Sequence, residues 1–171
     1  MAWSVGFAGL QDAEAISDVL REAVEWRAAH LRRVLWDTAK LGVDVVRPMI
    51  MRQEFIAARD GAELIGVMTL QWLDLQFWPD RDDGQAGYLH KIAVRRAWAG
   101  QGVPAAMTAW AELRTLDSGR PLLRLDCEPA SKLLAIYAAL GFVAIDDFQA
   151  SNEAGERFWV KRHEKRLGDH R

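Results

Sequence analysis

The chain has little of several features that mark common protein classes. It contains one cysteine in 171 residues, which excludes a disulfide-stapled framework. Its formal net charge is −2, which excludes a nucleic-acid binder that works by bulk positive charge. No apolar run approaches the roughly 20 residues that cross a bilayer, and the first ten residues do not read as a secretory signal. We therefore expect a cytoplasmic protein without nucleic-acid or membrane partners.

Linkers and repeats are absent as well, so the chain reads as one globular unit. Hydrophobic residues make up 50% of it and charged residues 27%, which suits a packed core and argues against disorder. We expect a single domain over residues 1–171. The residue in excess is tryptophan, with 8 Trp against 6 Phe and 2 Tyr. This excess suggests that the fold or its ligand site uses large flat side chains.

Helical and strand-like segments are mixed along the chain. Helices are predicted at residues 11–36, 104–116 and 131–140, with a short helix around residues 48–53 in the ambiguous stretch 38–52. Strands are predicted at residues 3–7, 55–59, 64–72, 88–94, 122–127, 142–146 and 157–161. Asp60-Gly61 is a strong hairpin signal between the second and third of these strands. Hairpins and β–α–β units together predict a mixed α/β fold, with helices on both faces of a mixed sheet.

Residues 88–104 combine a strand, a glycine loop and a helix start. The strand Tyr88-Leu-His-Lys-Ile-Ala-Val94 runs into the loop Ala99-Gly-Gln-Gly-Val-Pro104. Glycines allow a tight turn and a close backbone approach, and a helix start carries partial positive charge. Such a loop can hold a phosphate or pyrophosphate. Its spacing fits neither a Walker loop nor the dinucleotide-binding Gly-x-Gly-x-x-Gly motif.

Three motifs in this order resemble the GNAT superfamily of acetyl-CoA-dependent N-acetyltransferases. They are the strand, the loop and Ile136-Tyr-Ala-Ala-Leu-Gly-Phe142, which correspond to that family's fourth strand, pyrophosphate loop and Tyr-x-x-x-Gly-Phe ending. The clear resemblance covers residues 55–142. It implies a GNAT-like acyltransferase fold, with a central, mixed, mostly antiparallel twisted sheet of six to seven strands. It also implies transfer of the acetyl group of acetyl-CoA to a primary amine of a small molecule or peptide, by direct attack in a ternary complex.

The resemblance assigns roles to individual residues. Tyr137 is implied as the general acid that protonates the departing CoA thiolate, because a phenol with a pKa of about 10 keeps its proton at neutral pH. Backbone groups are implied to bind acetyl-CoA at ten positions: Ile92, Ala93, Val94, Ala99, Gly100, Gln101, Gly102, Val103, Pro104 and Ala105.

Three positions depart from the family pattern. Ala99 replaces a usual Arg or Gln, Pro104 replaces a usual Gly or Ala and removes one N–H, and Ala130 replaces a frequent Asn. Other residues are candidates to supply positive charge near the phosphates: Arg95, Arg96 and Lys132. The alternative is that these side chains only face solvent at the surface.

Several residues are candidates for the general base. Tyr88-Leu-His90 is similar to the His-x-His arrangement of the serotonin N-acetyltransferase branch, and a histidine with a pKa of about 6.5 suits removal of a proton from an ammonium group. Strand alternation predicts one shared face for Tyr88, His90, Ile92 and Val94. His90 is therefore the candidate base, with a purely structural histidine as the alternative. Other candidate bases are Asp126 and Glu128, whereas Cys127 is expected to be a buried, inert thiol.

The acceptor site is less defined than the donor site. Aromatic and acidic candidates suit a cationic or aromatic amine, unless the tryptophans only pack in the core: Trp26, Trp36, Trp72, Asp74, Phe77 and Trp78. An acidic loop, Asp80, Asp82 and Asp83, is a candidate for steering such an amine. No metal is expected, because the histidines lack ligand spacing with carboxylates or the cysteine: His30, His90, His163 and His170.

Two other function classes fit parts of the sequence. A non-catalytic acyl-CoA-binding or regulatory domain would keep the glycine loop but tolerate loss of proton-transfer groups. A generic nucleotide-binding α/β domain would prefer NAD or ATP. A homodimer is expected only by analogy with the superfamily.

Overall fold

The computed structural model describes residues 3–30, 36–129 and 132–168. These residues form four α-helices and seven strands. The helices are α1 (Ala13–His30), α2 (Val43–Met51), α3 (Val103–Asp117) and α4 (Leu133–Ala139). The strands are β1 (Ser4–Phe7), β2 (Phe55–Asp60), β3 (Glu63–Gln71), β4 (Ala86–Val94), β5 (Leu122–Cys127), β6 (Val143–Ser151) and β7 (Arg157–Arg166). Within this part of the chain, no helix has both the length and the apolar character that a membrane span requires.

The strands form one seven-stranded sheet in the order β1-β2-β3-β4-β5-β7-β6. Strand β2 pairs antiparallel with β1 and β3, and β7 pairs antiparallel with β5 and β6. Strand β4 pairs with β5 in parallel. The predicted mixed, mostly antiparallel sheet is therefore confirmed.

The chain comprises two compact units, and the first contains Met1–Leu70 and Lys91–Ala111. Its hydrophobic core includes the fully buried side chains of Ile16, Leu20 and Phe55, together with residues of α2 and β3. The apolar residues of α1 recur every three or four positions, so they share one face of the helix and pack into this core.

The second unit contains Gln71–His90 and Glu112–Arg171. Strand β7 pairs with β5 from Leu122–Arg166 to Cys127–Lys161, and with β6 on its other edge. A small cluster of buried side chains includes Trp78 and Tyr88. Both predicted late strands are longer than expected: β6 continues to Ser151, and β7 continues to Arg166.

Three predicted helices differ in extent from those in the structure. Helix α1 ends at His30, residues 31–35 lie outside the described residues, and Trp36 lies in a bend. The predicted helix through Trp36 is therefore wrong at its end. Helix α4 begins at Leu133, and the predicted first residue, Ser131, also lies outside the described part of the chain.

Helix α2 begins five residues earlier than the predicted short helix around Pro48. Gly42 precedes it in an extended conformation, and its carbonyl accepts the N–H of Val46 at 3.0 Å. Proline lacks the N–H for an interior helical hydrogen bond, so sequence reasoning placed Pro48 at a helix start. Burial of Val46, Met49 and Ile50 in the core compensates for this missing bond.

Candidate active site

Strand β4 carries a backbone irregularity directly after His90. Lys91 has a φ of 52°, a left-handed conformation that is uncommon for a residue with a side chain. It interrupts the regular alternation of β4 between His90 and Ile92, and the shared face of Tyr88, His90, Ile92 and Val94 stays a prediction. Burial lowers the pKa of Lys91, an effect that Lys40 increases and Glu54 opposes.

Strands β4 and β5 pair only near their starts, from Ala86–Leu122 to Tyr88–Arg124. His90 and Asp126 each follow two residues after the last pair. The two strands therefore bring an imidazole and a carboxyl group side by side where their ladder ends.

His90 lies between two carboxyl groups, one at each ring nitrogen. Its Nε2 is 2.9 Å from Oδ2 of Asp74, which lies in the loop after β3. Its Nδ1 is 3.6 Å from Oδ1 of Asp126. The side chains of Asp74 and Asp126 are 5% and 7% exposed, and that of His90 is 17% exposed. We refer to these three residues as the Asp–His–Asp trio.

The two carboxyl groups of the trio differ in their surroundings. Burial acts to raise the pKa of Asp74, but the hydrogen bond and charge of His90 and the backbone N–H groups of Phe77 and Gln76 hold this pKa below its usual value. Burial raises the pKa of Asp126 to about 7; the charge of His90 opposes this rise, and that of Asp74 adds to it. Among the described residues, none makes a hydrogen bond of good geometry to Oδ1 of Asp126 or to Oδ2 of Asp74, whose 2.9 Å contact with His90 is poorly aligned.

The trio also contains atoms of the types that bind metal ions. One such atom from each residue can be chosen so that all three lie within 4.8 Å of one another. The sequence spacing of the histidines did not show this arrangement. However, the carboxylates face opposite nitrogens of His90, whereas a histidine binds one ion through one nitrogen. This arrangement fits hydrogen bonding and proton exchange better than a shared ion.

The candidate acid Tyr137 lies on α4 and is buried. Its ring makes edge-to-face contacts with Phe142, at 6.5 Å between centroids, and with His163, at 5.8 Å. Burial lowers the pKa of His163, which keeps this imidazole neutral at neutral pH. His163 lies in the part of β7 beyond the predicted strand 157–161.

The predicted phosphate loop lies between β4 and α3 in the first unit. Gly100 and Gly102 have φ values of 76° and 85°, which side chains other than glycine rarely adopt. The carbonyl of Gly102 accepts the N–H of Ala106 at 3.1 Å as α3 begins. Pro104 lies within the first turn of α3, where N–H groups have no partner inside the helix.

Three arginines near this loop have defined partners. Arg95 bonds to the carbonyl of Leu64 at 2.8 Å and to Glu22 at 3.3 Å, so it is not a free source of charge for phosphates. The guanidinium of Arg96 lies over the ring of Trp26 at 4.5 Å. Arg27 bonds to the carbonyl of Ile92, one of the predicted acetyl-CoA-binding groups, at 3.3 Å.

The remaining predicted positions have varied environments. Val94 and Pro104 are half-buried; Ala93, Val103 and Cys127 are buried; and Ala99, Gln101, Ala105 and Lys132 are exposed. Glu128 follows β5 and is half-buried. Ala130 and His170 lie outside the described residues.

The tryptophans proposed for the acceptor site fall into two groups. Trp78 is fully buried between the guanidinium groups of Arg124 and Arg162, at 5.1 and 4.8 Å, so it cannot line an open pocket. Trp26, Trp36 and Trp72 retain exposed surface, and each has an arginine over its ring.

Two buried arginines, Arg124 and Arg162, make ion pairs that the sequence did not predict. Arg162 bonds to Asp146 and Asp80, and Arg124 bonds to Glu164 and lies 3.4 Å from Asp83. Asp80 and Asp83 of the predicted steering loop are therefore bound within the fold. For Arg124 the sequence signal that could have revealed this was its position between Leu123 and Leu125 in a predicted strand. Arg162 lies between Lys161 and His163, beyond the predicted strand, and carried no such signal.

Comparison with known proteins identifies chains of similar sequence and similar fold. No family model matches this chain. The N-acetyltransferase YesJ of Bacillus subtilis, which is itself uncharacterized, is 28% identical over 159 residues, covering 88% of this chain and 85% of YesJ.

Several solved structures have a similar fold over nearly the whole length of this chain. The PaiA N-acetyltransferase of Thermoplasma acidophilum, in complex with coenzyme A, has a TM-score of 0.76 and 17% identity, covering 97% of this chain and 99% of that one. A GNAT family acetyltransferase of Listeria monocytogenes has a TM-score of 0.73 and 24% identity, covering 96% and 95%. YncA of Salmonella typhimurium, solved with its cofactor acetyl-CoA, has a TM-score of 0.73 and 14% identity, covering 100% and 97%.

The chain therefore has the fold of the GNAT acetyltransferases, and the predicted resemblance to that superfamily is confirmed. The names of its relatives agree with the predicted class of enzyme, an acetyl-CoA-dependent N-acetyltransferase. Coenzyme A and acetyl-CoA in two of these neighbours agree with the predicted acetyl donor.

Proposed function

We propose that this protein is an N-acetyltransferase that transfers the acetyl group of acetyl-CoA to a primary amine of a small molecule or peptide. The reaction is direct attack in a ternary complex, within a single domain of residues 1–171. The observation that carries this proposal is His90, held between two buried carboxyl groups and followed two residues later by Ile92 on the same strand.

The acetyl-CoA-binding segment has features that fit a pyrophosphate. Gly100 and Gly102 hold left-handed conformations that let the backbone turn tightly, and α3 begins directly after them. The first N–H groups of a helix and its partial positive charge favour an anion. In this proposal the backbone of Ala99 to Ala105 binds the pyrophosphate, and the backbone of Ile92 to Val94 binds the pantetheine arm. When bound, acetyl-CoA supplies the acetyl group, and its thiol leaves.

Two side chains move the protons in this proposal. His90 takes a proton from the acceptor ammonium, which leaves a neutral amine as the nucleophile. Tyr137 donates a proton to the departing thiolate and recovers one from the new amide nitrogen. A backbone N–H polarises the thioester carbonyl. Orientation of the two reactants supplies the rest of the acceleration.

No metal takes part in this proposed reaction, because the trio is arranged for proton exchange. The prediction is tested by dialysis against a chelator, which should leave the rate unchanged. A loss that added zinc or magnesium restores would contradict it.

The acceptor is proposed to be a cationic or aromatic amine. The trio itself contains three ionisable groups. Tryptophans with exposed surface lie on α1 (Trp26), after α1 (Trp36) and after β3 (Trp72). We further propose that the protein works in the cytoplasm, without nucleic-acid or membrane partners, and that it forms a homodimer by analogy with the superfamily.

The experiment combines binding with turnover. Thermal shift with acetyl-CoA, NAD and ATP measures donor preference, and thiol release is then screened against polyamines, arylalkylamines, aminoglycosides, amino acids and peptides. We expect stabilisation by acetyl-CoA and turnover of a cationic or aromatic amine. His90→Ala and Tyr137→Phe should bind acetyl-CoA but lose about 100-fold or more in rate. Arg157→Ala, on exposed β7 surface, is the control.

Other outcomes would contradict the proposal in distinct ways. Full activity in both variants would remove the assigned roles. Tight acetyl-CoA binding with no turnover, unchanged by Tyr137→Phe, would favour a non-catalytic acyl-CoA-binding domain. Preference for NAD or ATP would favour a nucleotide-binding domain, and activity confined to acidic acceptors would contradict the amine class.

A further inference from the structure

The loop after β3 begins with a tight turn that is closed by its own backbone. Oδ1 of Asp74 accepts the N–H of Gln76 at 3.1 Å and that of Phe77 at 3.0 Å. The carbonyl of Asp74 accepts the N–H of Trp78 at 3.1 Å. An aspartate that accepts the N–H groups that follow it in this way fixes a turn. The side chains of Asp74 and Phe77 are therefore held in one arrangement relative to each other.

This turn places two side chains against His90. Oδ2 of Asp74 lies 2.9 Å from Nε2 of the imidazole. The ring of Phe77 lies 5.8 Å from the imidazole between centroids, and 6.2 Å from the ring of Phe158 on β7. Phe77 is half-buried, so part of its surface is accessible. An aromatic face is thus available beside His90 for the apolar part of an amine.

Arg162 attaches the turn to the sheet. It lies on β7 opposite Asp126 of β5, and residues paired across two strands share a face of the sheet. A guanidinium has five N–H donors, and Arg162 uses all of them. Two bonds go to Asp146 on β6, two to Asp80 and one to the carbonyl of Phe77, at 2.6 to 3.2 Å. Because the fork is planar and rigid, it fixes both the distance and the direction of the turn.

A second buried arginine, Arg124, holds a later part of the same loop. It bonds to the carbonyl of Arg81 at 2.7 Å, to Glu164 at 2.9 Å and to Asp83 at 3.4 Å. Its side chain is 4% exposed, against 3% for Arg162. The two arginines are therefore matched in charge and burial, but only Arg162 binds the turn that reaches His90.

We propose that Arg162 is a positioning residue for the acceptor, because it holds the turn that keeps Phe77 and Asp74 against His90. This inference rests on the proposed function and identifies the residue that shapes the acceptor side of its site. The apolar part of the amine packs on Phe77, and the amine nitrogen points toward His90. Arg162 acts through the turn and not on the reacting atoms.

Arg162→Met and Arg124→Met separate positioning from stability. Each removes a buried guanidinium, so both variants should be less stable than the wild type. Only Arg162→Met frees the turn, and we expect its KM for the best amine of the screen to rise about tenfold or more, because a contact of the acceptor is misplaced. Its KM for acetyl-CoA should stay within about twofold, and both KM values of Arg124→Met within about threefold. An equal rise of the acceptor's KM in the two variants would overturn the inference.

Two aspartates test the same attachment while both arginines stay in place. Asp80 binds Arg162 and Asp83 binds Arg124, and each of these carboxylates is 51% exposed. In Asp80→Ala, Arg162 keeps its bonds to Asp146, so the fold is retained. We expect the acceptor's KM to rise about threefold or more in Asp80→Ala and to stay within about twofold in Asp83→Ala. The two exchanges remove the same charge, so equal KM values would overturn the inference.

Hydrogen exchange, measured by nuclear magnetic resonance without substrate, tests the attachment directly. The N–H groups of Gln76, Phe77 and Trp78 close the turn, and they exchange when it opens. We expect all three to exchange about tenfold faster in Asp80→Ala and at the wild-type rate in Asp83→Ala. Unchanged exchange in Asp80→Ala, or faster exchange in both variants, would overturn the inference even if acetyl transfer is confirmed. Conversely, absence of acetyl transfer in the wild type, with these rates as expected, would contradict the proposed function alone.

Discussion

Asp74 and His90 are joined at 2.9 Å between Oδ2 and Nε2, and this contact ties the loop after β3 to the middle of β4. The other oxygen of Asp74 is held by two backbone N–H groups of its own loop. The carboxylate therefore caps its own loop and lies against the imidazole of His90.

The pH dependence of stability should reveal the buried carboxyl group of Asp126. Its pKa is raised to about 7 in the folded state, against about 3.9 in the unfolded chain. Its protonated form therefore favours folding: this contribution is complete below about pH 4 and is lost as the pH rises to about 7. We expect the free energy of unfolding to fall across this window, by up to about 1.4 kcal/mol per pH unit.

Urea unfolding at several pH values measures this effect. In Asp126→Asn the side chain cannot ionise, so the free energy of unfolding should decline less as the pH rises. The pKa of Asp74 is lowered, so its contribution is lost on acidification instead, below about pH 4. Asp117→Asn should retain the wild-type slope. An unchanged slope in Asp126→Asn would contradict the assignment.

The buried guanidinium of Arg162 should be a large contributor to stability. It bonds to Asp146 at 2.7 Å and to Asp80 at 2.6 Å, and it lies 4.8 Å from the centroid of the Trp78 ring. In Arg162→Met both carboxylates lose their partner, although their partial exposure lets water replace some of it. We expect a loss of about 2–4 kcal/mol by chemical denaturation. Arg157→Met, at an exposed position of the same strand, should change stability by less than about 0.5 kcal/mol.

Local patterns predicted most of the fold because its elements are marked by local chemistry. The hairpin of β2 and β3 follows its turn residues, and β5 matches the apolar stretch at its predicted bounds. The glycine loop was recognised because left-handed backbone at Gly100 and Gly102 requires residues without a side chain.

The parts that sequence could not predict depend on contacts distant along the chain. Lys91 holds a left-handed conformation that its own side chain disfavours, so tertiary structure must impose it. The length of β7 depends on pairing with β5, some 40 residues earlier. His90 and Asp126 were both candidate bases, and Asp74 a candidate acceptor residue, but the pairing of β4 with β5 and the path of the loop after β3 are needed to bring them together.

Gly66 in β3 should be intolerant of a side chain. A Cβ there would lie 2.8 Å from Cγ1 of Val103, at the start of α3, and 3.3 Å from the carbonyl oxygen of Ala93. We expect Gly66→Ala to lose about 1–3 kcal/mol of stability, because α3 would have to shift from β3. Gly6→Ala in β1 is the control, since a Cβ there meets no heavy atom within 4 Å. A Gly66→Ala variant as stable as Gly6→Ala would show that α3 adjusts freely.

Gly102 allows a direct separation of backbone strain from acetyl-CoA binding. Its φ is 85°, and a Cβ there would meet no heavy atom within 4 Å, so Gly102→Ala changes the backbone preference rather than the packing. Gly119, after α3, has a φ of 77° and equally open surroundings. Both alanine variants should therefore lose about 1 kcal/mol of stability.

Only Gly102→Ala should weaken the binding of acetyl-CoA, because the loop that contains Gly102 must present its N–H groups to the pyrophosphate in one geometry. We expect its Kd by calorimetry to rise about tenfold, which corresponds to about 1.4 kcal/mol, while that of Gly119→Ala stays within about twofold of the wild type. Kd values within about twofold of the wild type for both variants would exclude this loop from the donor site. A common loss of affinity would instead attribute the effect to lower stability, since both variants carry the same strain.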